Sequence, residues 1–181
     1  MISKQQYLEI REKALSLYDK AGIVLTGDER ETLEVADFGL NNVYSEGLEI
    51  VTYVNTERCC AKELVLLPRQ TCPEHRHPPL GEYTGKEETF RCRYGEVFLY
   101  VSGPAAENPA CKAPELSKDH YTVWHEIHLT PGGQYTLFPN TLHWFQAGPQ
   151  GAVVSEFSTK SIDELDVFTN PTINRIPEIA G

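Results

Sequence analysis

The sequence predicts an all-β jelly-roll barrel preceded by one N-terminal helix. Three observations point there. Residues 3–21 carry an apolar stripe at helical spacing. Beyond them the period changes, and short runs rich in Val, Tyr, Leu, Phe and Thr alternate with Gly and Pro clusters. The number of such runs, about eight, is the strand number of a jelly roll.

Each element has its own warrant. Ser3 followed by Gln6 fits a capping box, in which each residue satisfies an orphan backbone N–H of the other. Tyr7, Ile10, Ala14, Leu17 and Tyr18 fall mostly three or four apart, and Gly22 is a C-terminal stop. Strands are expected at 48–55, 61–67, 87–93, 96–102, 121–129, 134–138, 142–147 and 151–158. Pro78-Pro79, Gly95, Gly103-Pro104, Pro131-Gly132-Gly133, Pro139-Asn140 and Gly148-Pro149 break the chain between several of them. The polar, Pro- and Ala-rich stretch 103–120 reads as a surface excursion. Residues 159–181 read as a strapping segment, with two prolines and no clear period after Phe168. A chain of 181 residues is the length of one domain, so 1–181 is expected to be a single unit with its barrel over about 48–158.

Sixteen Lys and Arg against 26 Asp and Glu give a net charge of −10, which argues against a nucleic acid or an anionic membrane surface as main partner. No apolar run approaches the ~20 residues of a spanning helix. The opening MISKQQYLEI has no leader pattern. Cys59, Cys60, Cys72, Cys92 and Cys111 are odd in number and lack Cys-x-x-Cys spacing, so reduced thiols and a cytoplasmic location are expected.

The residues that carry chemistry are His75-Arg76-His77, then Glu88, then His143. Side chains at i and i+2 of an extended segment share a side, so His75 and His77 present two imidazoles to one point. A lone His-x-His is ordinarily a pair of strand histidines. Here Glu88 follows, with six residues before Gly95, and a second unit runs Gly133, five residues, Pro139, then His143. Three imidazoles and a carboxylate suit divalent Mn, Fe, Co, Ni or Zn, and two positions stay open on a six-coordinate ion for a chelating diol. His125 and His128 differ by three and would face opposite ways, so they read as structural, and His120 as a loop residue.

This arrangement resembles the cupin superfamily, whose two motifs have this order. The gap from His77 to Glu88 is longer than usual, adding the loop PPLGEYTGKE. The segment from Pro139 to His143 is one residue shorter, with Thr141 where Gly is common. The blocks TCPEHRHPP, GKEETFRCRYGEVFLYV, HYTVWHEIHLTPGGQYT and HWFQAG are similar to the D-lyxose isomerase family, over roughly Tyr18 to Pro171. That resemblance implies a cupin-type barrel with His75, His77, Glu88 and His143 as metal ligands and Mn2+ as the ion. It implies interconversion of D-lyxose and D-xylulose, and of D-mannose and D-fructose, through a metal-stabilised enediol(ate). It also implies a homodimer.

Proton transfer between C2 and C1 needs a positioned base. Lys86 lies two residues before Glu88 and would share its face, where burial beside a cation would lower its pKa. Glu156 lies in the apolar run GAVVSEFS, where a carboxylate is costly unless paired. Sharing the face of Val154 and Ala152, it would look into the barrel. Glu74, Glu87 and Lys62 rank lower. Phe90, Tyr94, Trp144 and Phe145 supply walls and core, with Phe90 and Tyr94 on the Glu88 face. The alternatives are a phosphoglucose isomerase-like or dioxygenase cupin, or a sugar-binding cupin without a base. Arg76, Arg91 and Arg93 alternate away from the site, which favours an unphosphorylated sugar.

Overall fold

In the computed structural model, which describes residues 2–176 and 179–180, the capping box predicted at Ser3 starts the first helix. Ser3 Oγ accepts from Gln6 N–H and Gln6 Oε1 accepts from Ser3 N–H. The elements are β1 (Ile2–Ser3), α1 (Lys4–Ala21), α2 (Gly27–Glu31), β2 (Glu34–Ala36), β3 (Leu48–Asn55), β4 (Cys60–Leu66) and β5 (Thr71–Arg76). Then follow β6 (Glu88–Val101), β7 (His125–Leu129), β8 (Gln134–Leu137), β9 (His143–Ser158), β10 (Val167–Phe168) and β11 (Ile179–Ala180). Among the described residues no helix is long and apolar enough to cross a membrane.

β1 and β11 pair in parallel as a separate two-stranded sheet, and the other strands form one curled sheet with two layers. One layer runs β2, β3, β4, the C-terminal half of β9, the N-terminal half of β6, then β8. The other runs β10, β5, the N-terminal half of β9, the C-terminal half of β6, then β7. The glycines of β6 and β9 predict two strands in place of each. Instead each is one long strand that bends across both layers. The bend needs glycine: at Gly95 φ is +66°, and a Cβ would stand 2.0 Å from the carbonyl oxygen of Gly151. Bulges fall at this corner, between Cys92 and Tyr94 and between Gly95 and Val97.

Those bulges correct one expectation. Counting by two from Glu88 puts Tyr94 inside, but the phase slips after Cys92, and Tyr94 packs outside against the helix cluster. Three apolar groups result. Phe90, Cys92, Leu99, Phe145, Ala152 and Val154 fill the barrel. Ile10, Ala14, Leu17 and Tyr18 of α1 cover Val51, Val65 and Val153 on the outer face of the first layer. Cys111 and Ala113 from the excursion, with Tyr121 just after it, cover Phe98, Tyr100 and Trp144 on the outer face of the second. The stretch read as a surface excursion therefore closes a core of its own.

Two further differences have local causes. The strand expected from residue 121 starts only at His125, because the N–H groups of Thr122 and Val123 bond the Glu74 carboxylate rather than a ladder. β5 was not expected as a strand. It contains Pro73, which cannot donate, and its ladder with β9 breaks between Cys72 and His75.

Candidate active site

The barrel brings four predicted side chains to one point. His75 sits near the end of β5 and pairs directly with His143, the first residue of β9. His77 follows the end of β5 and Glu88 opens β6 in the other layer. All four are buried. One ring nitrogen from each of His75, His77 and His143 lies within 4.8 Å of the other two, and the cluster can hold a metal ion. Glu88 Oε1 is 3.2 Å from Nε2 of both His77 and His143. Neither contact has hydrogen-bond geometry, and these three atoms are buried without a hydrogen-bond partner.

The far nitrogens explain the orientation. His75 Nδ1 donates to the Pro73 carbonyl at 2.7 Å and His143 Nδ1 to the Thr141 carbonyl at 2.9 Å. A carbonyl only accepts, so each Nδ1 carries a proton, the tautomer that in a neutral ring leaves the lone pair on Nε2. His77 Nδ1 faces the Asp166 carboxylate. Burial, with His143 and His77 as neighbours, holds His75 well below its usual pKa and therefore neutral. Burial and Lys86 push His77 down, but Glu88 and Asp166 outweigh them and raise it to about 9. Burial would raise Glu88, yet Lys86 and His77 hold it well below the carboxylate range. Orphaned, buried and convergent donor atoms of this mixed nitrogen and oxygen kind fit a divalent ion. A proton and an ion would compete for His77 Nε2.

Lys86 and Glu156 lie beside this cluster. Lys86 Nζ is 2.6 Å from Glu88 Oε2 and 2.8 Å from Glu156 Oε1. Glu156 projects inward with Ala152 and Val154, on the face alternation assigns. Among these protein groups the pKa of Lys86 is set by opposing influences. Burial does lower it, but Glu156 and Glu88 outweigh burial and hold it well above the usual value. Lys86 is an ammonium clamped between two carboxylates.

These groups line a small cavity of about 40 Å³. Phe90 and Phe145 form apolar wall, and Lys62 also reaches it. Phe38, Asp163, Asp166, Phe168 and Arg175, which no sequence motif marks, also line it. The last four come from the aperiodic C-terminal segment. Each lining cation is paired: Lys62 with Asp163 at 3.0 Å, Arg175 with Asp163 and Glu34 at 2.6 Å each, and Lys86 as above.

The remaining candidates lie elsewhere. Arg76 bonds Asn140, Arg91 bonds Gln134, and Arg93 is exposed, so none of the three lines the cavity. Glu74 turns outward to Thr122, Val123 and Thr169, and Glu87 is exposed. His125 bonds the Pro104 carbonyl, His128 pairs with Glu96 and stacks on Phe98, and His120 lies in a short 3-10 turn.

No family model matches the chain. The chain is 62% identical over 179 residues to a D-lyxose ketol-isomerase of Thermofilum sp., covering 99% of each. It is 60% identical to a D-lyxose/D-mannose isomerase of Thermosediminibacter oceani, again covering 99% of each. It is 57% identical to a D-lyxose ketol-isomerase of Cohnella laeviribosi, covering 96% of each. The fold matches L-ribose isomerase of Cellulomonas parahominis with L-ribose, at TM-score 0.80 and 19% identity over 99% of this chain and 98% of that one. It also matches L-ribose isomerase of Acinetobacter sp. DL28 in complex with L-ribose, at TM-score 0.78, 19% identity and the same coverage.

Proposed function

The chain belongs to the D-lyxose ketol-isomerase family, and we propose that it interconverts D-lyxose and D-xylulose, and D-mannose and D-fructose, at a site holding one Mn2+. The observation that carries this reading is the convergence of three imidazoles and Glu88 on one buried point, with Lys86 and Glu156 alongside. His75, His77, Glu88 and His143 would hold the ion. When bound, a divalent cation supplies Lewis-acid stabilisation to negative charge on the sugar's O1 and O2.

The chain's own residues do the rest. Glu156 takes the proton from C2 of the aldose, and the C2–H electrons form the C1–C2 double bond of an enediol(ate). The same carboxyl returns the proton to C1, which completes the ketose. Lys86 is held protonated between Glu156 and Glu88, so it acts as the acid: it protonates O1 and recovers a proton from O2. Two groups with opposed protonation states thus divide the work. D-lyxose and D-mannose share their configuration at C2 and C3, so one site that grips that end accepts both. The paired state of Lys62, Lys86 and Arg175 leaves no spare cation pair in the lining for a sugar phosphate, which supports a neutral sugar. The five cysteines, all free thiols, accord with a cytoplasmic enzyme.

The test is to strip the protein with EDTA and incubate it with D-lyxose, with and without Mn2+. D-xylulose is expected only in the reloaded sample. Its absence from both, with folding verified by circular dichroism, overturns the proposal.

A further inference from the structure

The three imidazoles are not held alike. His75 and His143 find their Nδ1–H acceptors two residues back in their own chain segment, at Pro73 and Thr141. His77 finds its acceptor, Asp166, 89 residues away. The last ladder pair between β5 and β10 is Val167 with Arg76, so His77 lies just beyond it. Its backbone carbonyl accepts from Asn140 N–H at 3.0 Å, which fixes the main chain. The ring torsion has no such local anchor and takes its orientation from Asp166.

The segment around Asp166 meets the neighbouring ligand as well. Phe168 pairs with His75 in the ladder, and the two rings stack at 5.3 Å with 30° between planes. Thr169 donates its N–H to the Glu74 carbonyl and its hydroxyl to the Glu74 carboxylate. Asp163 holds Lys62 and Arg175. The strap therefore abuts two histidines of the cluster and the C-terminal half of the strand that carries one of them.

We propose that Asp166 is a positioning residue of the metal centre, and that docking of residues 161–170 onto β5 is thermodynamically linked to binding of the ion. The inference rests on His77 being a ligand. A carboxylate on Nδ1–H fixes the tautomer that leaves Nε2 free and makes that nitrogen the better donor. If strap docking raises affinity for the ion, the ion must stabilise strap docking by the same factor.

The experiment titrates Mn2+ into wild type, Asp166→Ala, Asp166→Asn and His143→Ala, reading free Mn2+ by electron paramagnetic resonance. Amide hydrogen exchange across residues 161–170 is followed in wild type with and without saturating Mn2+. Asp166→Ala is expected to bind about 10–100-fold more weakly. Asp166→Asn, whose amide oxygen still accepts, falls between it and wild type, with an unchanged melting temperature in EDTA. Mn2+ slows exchange across 161–170. If Asp166→Ala does not fold, Asp166→Asn and the exchange measurement on wild type decide. Wild-type affinity in the Asp166 variants, with His143→Ala at least tenfold weaker, overturns the linkage and leaves the ligand set standing. Exchange indifferent to Mn2+ also overturns it. Wild-type affinity in His143→Ala overturns the ligand set and the linkage with it.

Discussion

Glu156→Gln separates the chemistry from the site that surrounds it. The amide keeps the shape of the carboxylate, and its oxygen still accepts from Lys86 Nζ, now 2.8 Å from Oε1, and from the Ser158 hydroxyl at 3.3 Å. Removing one member of a buried ion pair ordinarily costs roughly 3–5 kcal/mol because a bare charge is left behind. Lys86 is not left bare, since Glu88 Oε2 remains 2.6 Å away. The expected loss of stability is therefore nearer the cost of weakening one charged hydrogen bond, roughly 1.5–3 kcal/mol. Turnover behaves differently. Without a base at C2, kcat is expected to fall about 10²–10⁴-fold, or roughly 3–5 kcal/mol at 1.36 kcal/mol per decade. Bound Mn2+ should stay at the wild-type level, because Glu156 is outside the convergent set. The assay measures D-xylulose formed from D-lyxose, metal content per chain, and deuterium entering C1 from D2O. A variant that turns over within threefold of wild type would refute Glu156 as the base.

Other substitutions test the scaffold. Gly95→Ala places a Cβ against the Gly151 carbonyl at 2.0 Å with φ at +66°; backbone strain and overpacking together should cost roughly 3–5 kcal/mol, read as loss of soluble protein or a much lower urea midpoint. Burial raises Glu49 from 4.5 to about 8, against an opposing hydrogen bond from Gln70. Across that window the folded protein holds a proton that the unfolded chain has shed. Stability thus falls by ~1.4 kcal/mol per pH unit as pH rises, then levels off above the folded value. Glu49→Gln should flatten that slope, and parallel urea midpoints for the two proteins from pH 5 to 8 would discredit it. Tyr18 donates to the buried Glu63 carbonyl at 2.7 Å. Tyr18→Phe should therefore lower stability by about 1–3 kcal/mol, measured by chemical denaturation.

Local rules carried much of the reading. The Ser3 and Gln6 pair is a four-residue pattern with one physical solution, and helix α1 begins where that pattern puts it. Period-two alternation set the face of Glu156 beside Ala152 and Val154, and of Lys86 beside Glu88. It also turned Arg76 away from the two histidines. Alternation fails where the count of residues per ladder step changes. Tyr94 lies past the bulge after Cys92 and so faces the helix instead of the cavity. β6 and β9 looked like four strands because glycine marks a bend as readily as an end. Only the cross-strand contact at Gly95 and Gly151 tells the two apart, and that contact is not local in sequence.

The C-terminal contribution was hidden for a different reason. Asp163, Asp166 and Arg175 sit in a segment with no period, and nothing in their immediate neighbours requires them to face a cavity. The requirement lies in the barrel. Lys62 alternates with Leu64, so a strand whose face is inward buries an ammonium. His77, turned inward with His75, buries a second donor at Nδ1. Neither donor has an acceptor on β4 or β5, since Glu63 on β4 bonds Ser155 and Glu74 on β5 bonds Thr122 and Thr169. Buried donors without acceptors cost several kcal/mol each, so acceptors had to come from a segment not yet placed. Residues 159–176 carry the acids Asp163, Glu164 and Asp166. Two of those three take the open positions, Asp163 on Lys62 and Asp166 on His77. The buried donors of β4 and of the segment after β5 are what hold the strap at the site.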